Sequence, residues 1–177
     1  IFRNKKTKCA IKYSNLHNMK MKIKYGIVGS GLMGCEHISN INLIDSAEVV
    51  AISDSNENSI NKAKNLISND IKIYSNNNEI FKNNEVDAFI ISTPNFTHHD
   101  IIKEALKTKK HLLIEKPLCT KLEDCLEIKK LSTSYPSVIW VAMEYRYMPP
   151  VQKMIQEIDS NKIGKLKMLS IREHRFP

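Results

Sequence analysis

The 177-residue sequence predicts an α/β protein built on a doubly wound parallel sheet. Three observations carry that expectation. Short β-rich runs alternate six times with helical periodicity between Lys22 and Met143. The run Asp87–Ser92 holds a continuous apolar stretch, as a strand covered on both faces does. The first run passes through a glycine-punctuated turn straight into a helical pattern.

The elements follow in order. Ile23–Val28 reads as the first strand and Gly29–Gly34 as the turn. Met33–Ile44 reads as a helix, with Ile38, Ile41 and Ile44 spaced by three. Val49–Ile52 is a second strand, ending near Asp54. Ser55 or Asn56 caps a helix that carries Ile60, Ala63, Leu66 and Ile67. Ile71–Tyr74 is a third, weaker strand, and Asn77–Lys82 a short helical turn. The fourth strand, Asp87–Ser92, is broken by Pro94-Asn95. A helix over Asp100–Lys107 points Ile101, Ile102, Ala105 and Leu106 inward. His111–Ile114 is the fifth strand, stopped by Pro117. Thr120 caps a helix through Leu131, and Glu123 completes a capping box. Val138–Met143 is the sixth strand. Beyond it the pattern changes. Pro149-Pro150 opens a helix over Val151–Ile158, Asn161–Gly164 turns, and Lys165–Arg172 reads as one more strand. One strand cannot make a sheet with its own core. Residues 21–148 are therefore expected to form one domain, and 149–177 the incomplete opening of a second α/β domain.

The net charge of +8 and pI near 9.3 raise a nucleic-acid reading. The charge is unevenly placed. Six of the 27 basic residues and none of the 19 acidic ones lie in residues 1–20, so the rest carries 21 against 19. This basic leader is expected to be poorly ordered. It is upstream sequence outside the mature protein, an organelle-targeting segment, or a nucleic-acid arm. Its few aromatics speak against the last. Cys9, Cys35, Cys119 and Cys125 form no C-x-x-C pair, so no zinc site or disulfide framework is expected. Free thiols point to a reducing compartment, the cytoplasm unless the leader directs otherwise. No apolar run reaches ~18 residues, so no transmembrane helix is expected.

Gly29-Ser30-Gly31-Leu32-Met33-Gly34 is G-x-G-x-x-G between a strand and a helix, the context in which the motif binds a dinucleotide. Gly29 permits the tight turn. Gly31 lets a pyrophosphate approach the backbone, and Gly34 lets helix and strand pack closely. The helix start, with Leu32 and Met33, then offers unpaired N–H groups to the phosphates. Asp54 lies 20 residues beyond Gly34, at the end of the second strand, where a carboxylate accepts hydrogen bonds from the adenosine ribose. It would repel a 2′-phosphate, and Ser55-Asn56 offers no adjacent Arg to hold one. NAD is therefore expected over NADP, in a domain of Rossmann type.

Two further segments project from the carboxyl edge of the sheet: Ser92-Thr93-Pro94-Asn95 and Glu115-Lys116-Pro117. Taken in order, GIVGSGLMG, Asp54, TPNFTHHD, LLIEKPL and EYRYMPP resemble the glucose–fructose oxidoreductase/inositol dehydrogenase/MocA family over about residues 22–175. The E-K-P triplet after T-P-N-x-x-H is the most specific part. The resemblance implies a C-terminal α/β domain with a mostly antiparallel sheet and homo-oligomers built through it; no metal is expected. It implies NAD(P)-dependent hydride transfer at a hydroxyl or carbonyl carbon of a sugar, cyclitol or related polyol. Lys116 matches the family's lysine at the nicotinamide and substrate, where an ammonium steadies developing alkoxide charge. By the same resemblance Thr93, Pro94 and Asn95 pass near the nicotinamide ribose. His98 either contacts the cofactor side or is a satisfied helix-start histidine. Glu115 orients the loop or the cofactor, or is a surface acid. Arg146, beside Tyr145, contacts ligand or braces the exit from the domain.

The family's proton acceptor lies in an Asp-x-x-x-His segment, a pattern found nowhere in the 177 residues. His174 does not fit it. The expectation is the N-terminal part of an oxidoreductase that binds a dinucleotide but turns over little by itself. The alternative from another class is a non-catalytic dinucleotide-binding module, a sensor or scaffold.

Overall fold

A computed structural model describes residues 21–174. The basic leader, with its expected disorder, lies outside the described residues. Six strands form one sheet: β1 (Ile23–Val28), β2 (Ala47–Ser53), β3 (Lys72–Tyr74), β4 (Ala88–Ile91), β5 (His111–Ile114) and β6 (Ile139–Val141). They lie in the order β3-β2-β1-β4-β5-β6, and every adjacent pair is parallel. The helices are α1 (Leu32–Ile41), α2 (Glu57–Lys64), α3 (Asn77–Ile80), α4 (His98–Leu106), α5 (Leu122–Ser132) and α6 (Pro149–Asp159).

Parallel strands need crossovers, and helices on both faces of the sheet bury both faces. The core accordingly divides in two. Ile27, Val49, Ile52 and Ile90 pack with Ile38 and Ile41 of α1 and Ala63 of α2. Val28, Phe89, Ile91 and Ile114 pack with Ile80 of α3, Ile101 and Ile102 of α4, and Ile128 of α5. Neighbours in sequence such as Ile27 and Val28, or Phe89 and Ile90, thus face opposite layers, as the period of two requires. A register shift opposite Tyr25 and Gly26 leaves Val50 unpaired, so Val50 and Ala51 both turn to the second layer.

Local signals account for some helix starts. Asn56 caps α2 by accepting from the Ser59 N–H at 3.1 Å. Pro149 and Pro150 occupy the first turn of α6, where a missing N–H costs nothing, so this helix begins before the expected Val151. Two expectations fail. Thr120 does not cap α5. Lys121 takes that position without a side-chain bond, which places Glu123 one residue too early for a capping box. The expected strand over 165–172 is absent. That stretch is irregular and exposed, because a strand is held by its ladder and no described strand pairs with it. None of the described helices is long and apolar enough to cross a membrane.

The chain winds outward from β1 through β2 to β3, then returns to place β4 on the other side of β1. The carboxyl ends of β1 and β4 therefore open onto a crevice, the switch point where such sheets take their ligands.

Candidate functional site

Gly29 leaves β1 at φ 89°, a conformation that favours glycine. A Cβ there would press at 2.8 Å on the backbone of Ser92 and Thr93, so the loops after β1 and β4 close on each other. The Ser92 hydroxyl ties them by donating to the Gly29 carbonyl at 2.7 Å. Gly34 is tighter still, since a Cβ would overlap the carbonyl oxygen of Gly29. Gly31 is the opposite case. It occupies the N-cap of α1, and a Cβ there would meet nothing within 4 Å. The helix start has no side-chain cap and no acid in its first turn, so its N–H groups and dipole are available to an anion.

Asp54 borders the same crevice from the end of β2. Its Oδ2 accepts from the Ser30 N–H at 2.8 Å, and its Oδ1 accepts from the Asn56 N–H at 2.9 Å. The Ser30 hydroxyl also donates to Oδ2 at 3.3 Å, so the carboxylate is fixed in direction and keeps acceptor capacity on Oδ1 for a ribose hydroxyl. Gly29, Gly31, Leu32, Met33, Asp54, Thr93 and Pro94 all line one cleft of about 590 Å³. A neighbouring cavity of about 860 Å³ shares Ser55, Asn77, Phe96 and Thr97 with it, extending the crevice toward α3 and α4. Gly34 and Asn95 do not line the cleft; Asn95 begins a short 3₁₀ turn over Asn95–Thr97.

Behind the cleft, His98 is fully buried. Its Nδ1 lies 2.8 Å from the Pro117 carbonyl and its Nε2 lies 2.9 Å from that of Thr93. It joins the loops after β4 and β5 rather than lining the cleft. Glu115 is 6% exposed. Its Oε2 accepts from the Lys116 N–H at 3.1 Å, and its Oε1 lies 2.8 Å from Nε2 of His37 on α1. His37 was not among the residues expected at the site. The signal available was its place three residues beyond Gly34, on the side of the helix that approaches the sheet. Lys116 precedes a cis peptide bond to Pro117. Its side chain is half exposed, with Nζ 3.9 Å from Glu144, and it lines a separate cavity of about 310 Å³ together with Tyr145 and Arg146.

Cys119 follows on the same segment. Burial, then the neighbouring Cys125 thiol, pushes its thiol up to about 12. Only thiolate reacts with an alkylating agent. Across about pH 7 to 9, iodoacetamide labelling of Cys119 in the folded protein should therefore climb about tenfold per pH unit without levelling. A plateau below about pH 9 would contradict that protonation state.

The glycine cradle, the open helix start and the fixed carboxylate fit a dinucleotide diphosphate and ribose, and their place at the switch point of this sheet defines a dinucleotide-binding domain of Rossmann type. The family model described as Gfo/Idh/MocA, "Oxidoreductase family, NAD-binding Rossmann fold", matches residues 23–143, and the chain belongs to that family. Over 149 residues it is 27% identical to a myo-inositol 2-dehydrogenase of Thermotoga maritima, a match covering 84% of this chain and 44% of the relative. Over 146 residues it is 30% identical to an inositol 2-dehydrogenase/D-chiro-inositol 3-dehydrogenase of Lacticaseibacillus casei, covering 81% and 42%. The crystal structure of a Lactobacillus casei myo-inositol dehydrogenase with NAD(H) and myo-inositol superposes with a TM-score of 0.77 at 29% identity, covering 81% of this chain and 43% of that one. The chain thus spans less than half the length of these relatives. Among the described residues, no group of three or more His, Cys, Asp or Glu is placed to hold a metal ion.

Proposed function

We propose that this chain supplies the dinucleotide-binding domain, residues 21–148, of an NAD-dependent dehydrogenase acting on a polyol, sugar or cyclitol, with 149–174 leading toward a second domain. The observation that carries the reading is the sharing of one sheet edge. The glycine cradle after β1, the Asp54 carboxylate after β2 and Lys116 after β5 all stand at the carboxyl ends of their strands. The inositol dehydrogenases among the similar proteins support the substrate class.

In this reading, the N–H groups at the start of α1 and the backbone at Gly31 hold the diphosphate. Asp54 accepts from the adenosine ribose hydroxyls, and Thr93, Pro94 and Asn95 flank the ribose on the nicotinamide side. NAD, when bound, supplies the hydride acceptor. Lys116 donates a hydrogen bond to the oxygen of the reacting carbon and steadies the negative charge that develops there while the hydroxyl proton passes to a base of the second domain. Arg146, on the wall of the Lys116 cavity, faces the substrate side.

The test has two arms. The purified chain is titrated with NADH by nicotinamide fluorescence, and the catalytically complete enzyme is screened for NAD reduction across cyclitols and sugars. Saturable NADH binding and reduction with at least one polyol are expected. Failure to bind NADH would end the proposal. Cofactor choice is checked separately. Asp54→Asn keeps the size and one acceptor but loses the charge. It should cut the preference for NAD over NADP about tenfold, the worth of one charge-assisted hydrogen bond. An unchanged ratio of dissociation constants would remove Asp54 from that role.

A further inference from the structure

We infer that His37 is a positioning residue for Lys116, acting through Glu115; the inference rests on the reading of Lys116 given above. Glu115 is a nearly buried carboxylate, and a buried charge needs donors. The structure supplies two. One is the backbone N–H of Lys116 at 3.1 Å, on Oε2. The other is Nε2 of His37 at 2.8 Å, on Oε1; since a carboxylate only accepts, that nitrogen carries the hydrogen. His37 itself is largely covered, its side chain 17% exposed.

The pair ties α1 directly to the loop after β5. His37 belongs to α1, whose first turn faces the diphosphate position, and Glu115 precedes the reactive lysine at the end of β5. Holding both carboxylate oxygens has a second consequence. The Lys116 ammonium is half exposed and only loosely paired, 3.9 Å from Glu144. It is the cation next in sequence to Glu115. With His37 in place, Glu115 is satisfied and Lys116 is free to extend into its cavity. Without His37, one oxygen of a buried carboxylate loses its donor, and the ammonium folds back to take it. His37 therefore both fixes the backbone from which Lys116 projects and keeps its charge from being captured next door.

The experiment reads Lys116 itself rather than turnover. The full chain is treated with a limiting acetylating ester, and the acylation rate of each lysine is followed by peptide mass mapping, with Lys129 on α5 as internal reference. His37→Ala should slow acylation of Lys116 about fivefold relative to Lys129, the factor expected of one new ion pair. His37→Gln, which retains an N–H donor, should return the rate to within about twofold of the wild type. Adding Glu115→Gln to His37→Ala removes the capturing charge and should also restore it. If the alanine variant does not fold, His37→Phe fills the space without a donor and should show the same slowing. A wild-type Lys116 rate in either folded variant overturns the inference, as does slowing that neither Gln substitution relieves. NADH binding is scored in parallel. A wild-type chain that fails to bind NADH sinks the cofactor reading, whereas the acylation pattern still decides whether His37 controls Lys116.

Discussion

In the catalytically complete enzyme, Lys116→Ala should lower kcat by about a hundred- to a thousandfold while the dissociation constant for NADH stays within about threefold of the wild type. The split follows from where the residue stands. The groups proposed to hold the dinucleotide come from the turn after β1, the start of α1, the end of β2 and the loop after β4, and all but Asn95 line the cleft of about 590 Å³. Lys116 lines the separate cavity of about 310 Å³, with Met143, Glu144, Tyr145 and Arg146. Removing its ammonium leaves the diphosphate cradle intact and takes away the positive charge proposed to stand beside the oxygen that becomes anionic in the transition state. A hydrogen bond that strengthens only as charge develops acts on kcat rather than on binding. The fold should also survive the change, because the Lys116 side chain is half exposed and its ion pair with Glu144 is loose at 3.9 Å. Stopped-flow turnover with parallel NADH titration checks both halves. Wild-type kcat in the alanine variant would remove Lys116 from the chemistry. A large loss of NADH affinity would instead move it into the cofactor site.

How far the sequence alone reaches can be traced through particular residues. The six strands and their helices were legible because burial of both sheet faces writes itself as local pattern, as in Ala88–Ile91, where all four residues are buried. The glycine loop and Asp54 were legible because their spacing is set by one βαβ unit. What depends on contacts between distant segments was not. Glu115 could be read as a loop-orienting or a surface acid, and only the approach of α1 shows it buried against His37, 78 residues away in sequence. His98 could be read as a cofactor neighbour or a core histidine; its two carbonyl partners, Thr93 and Pro117, come from different loops. The expected strand over 165–172 failed for a related reason. Its residue pattern is compatible with a strand, but a pattern supplies no ladder. The net charge misleads in the same way when taken whole, since a basic leader carries six of the eight excess charges and the remainder is nearly neutral.

The second and third glycines of the motif should separate cleanly under the same substitution. Gly34→Ala puts a methyl group onto the Gly29 carbonyl oxygen, within 3.2 Å of the Ser92 hydroxyl oxygen as well. Neither neighbour can yield cheaply. Gly29 is held by its N–H donating to the Ser53 carbonyl at 2.8 Å, and Ser92 is held by its N–H donating to the Val28 carbonyl at 2.8 Å. Helix α1 must therefore lift off the sheet, at about 2–3 kcal/mol for an overpacked contact, and its N-terminus lifts with it. Stability and NADH affinity should fall together. Gly31→Ala meets no atom within 4 Å and sits at φ −67°, outside the left-handed region that favours glycine. The variant should unfold at a denaturant midpoint close to that of the wild type. Yet if the diphosphate lies against this turn, the new methyl group occupies its place, and NADH affinity should drop by about tenfold or more, the scale of about 1.4 kcal/mol. Urea melts and NADH titrations on the two variants make the comparison. A Gly31→Ala protein that binds NADH like the wild type would mean that the diphosphate does not rest on this turn, and a Gly34→Ala protein as stable as the wild type would mean that the close approach of α1 to the Gly29 turn does not limit the fold.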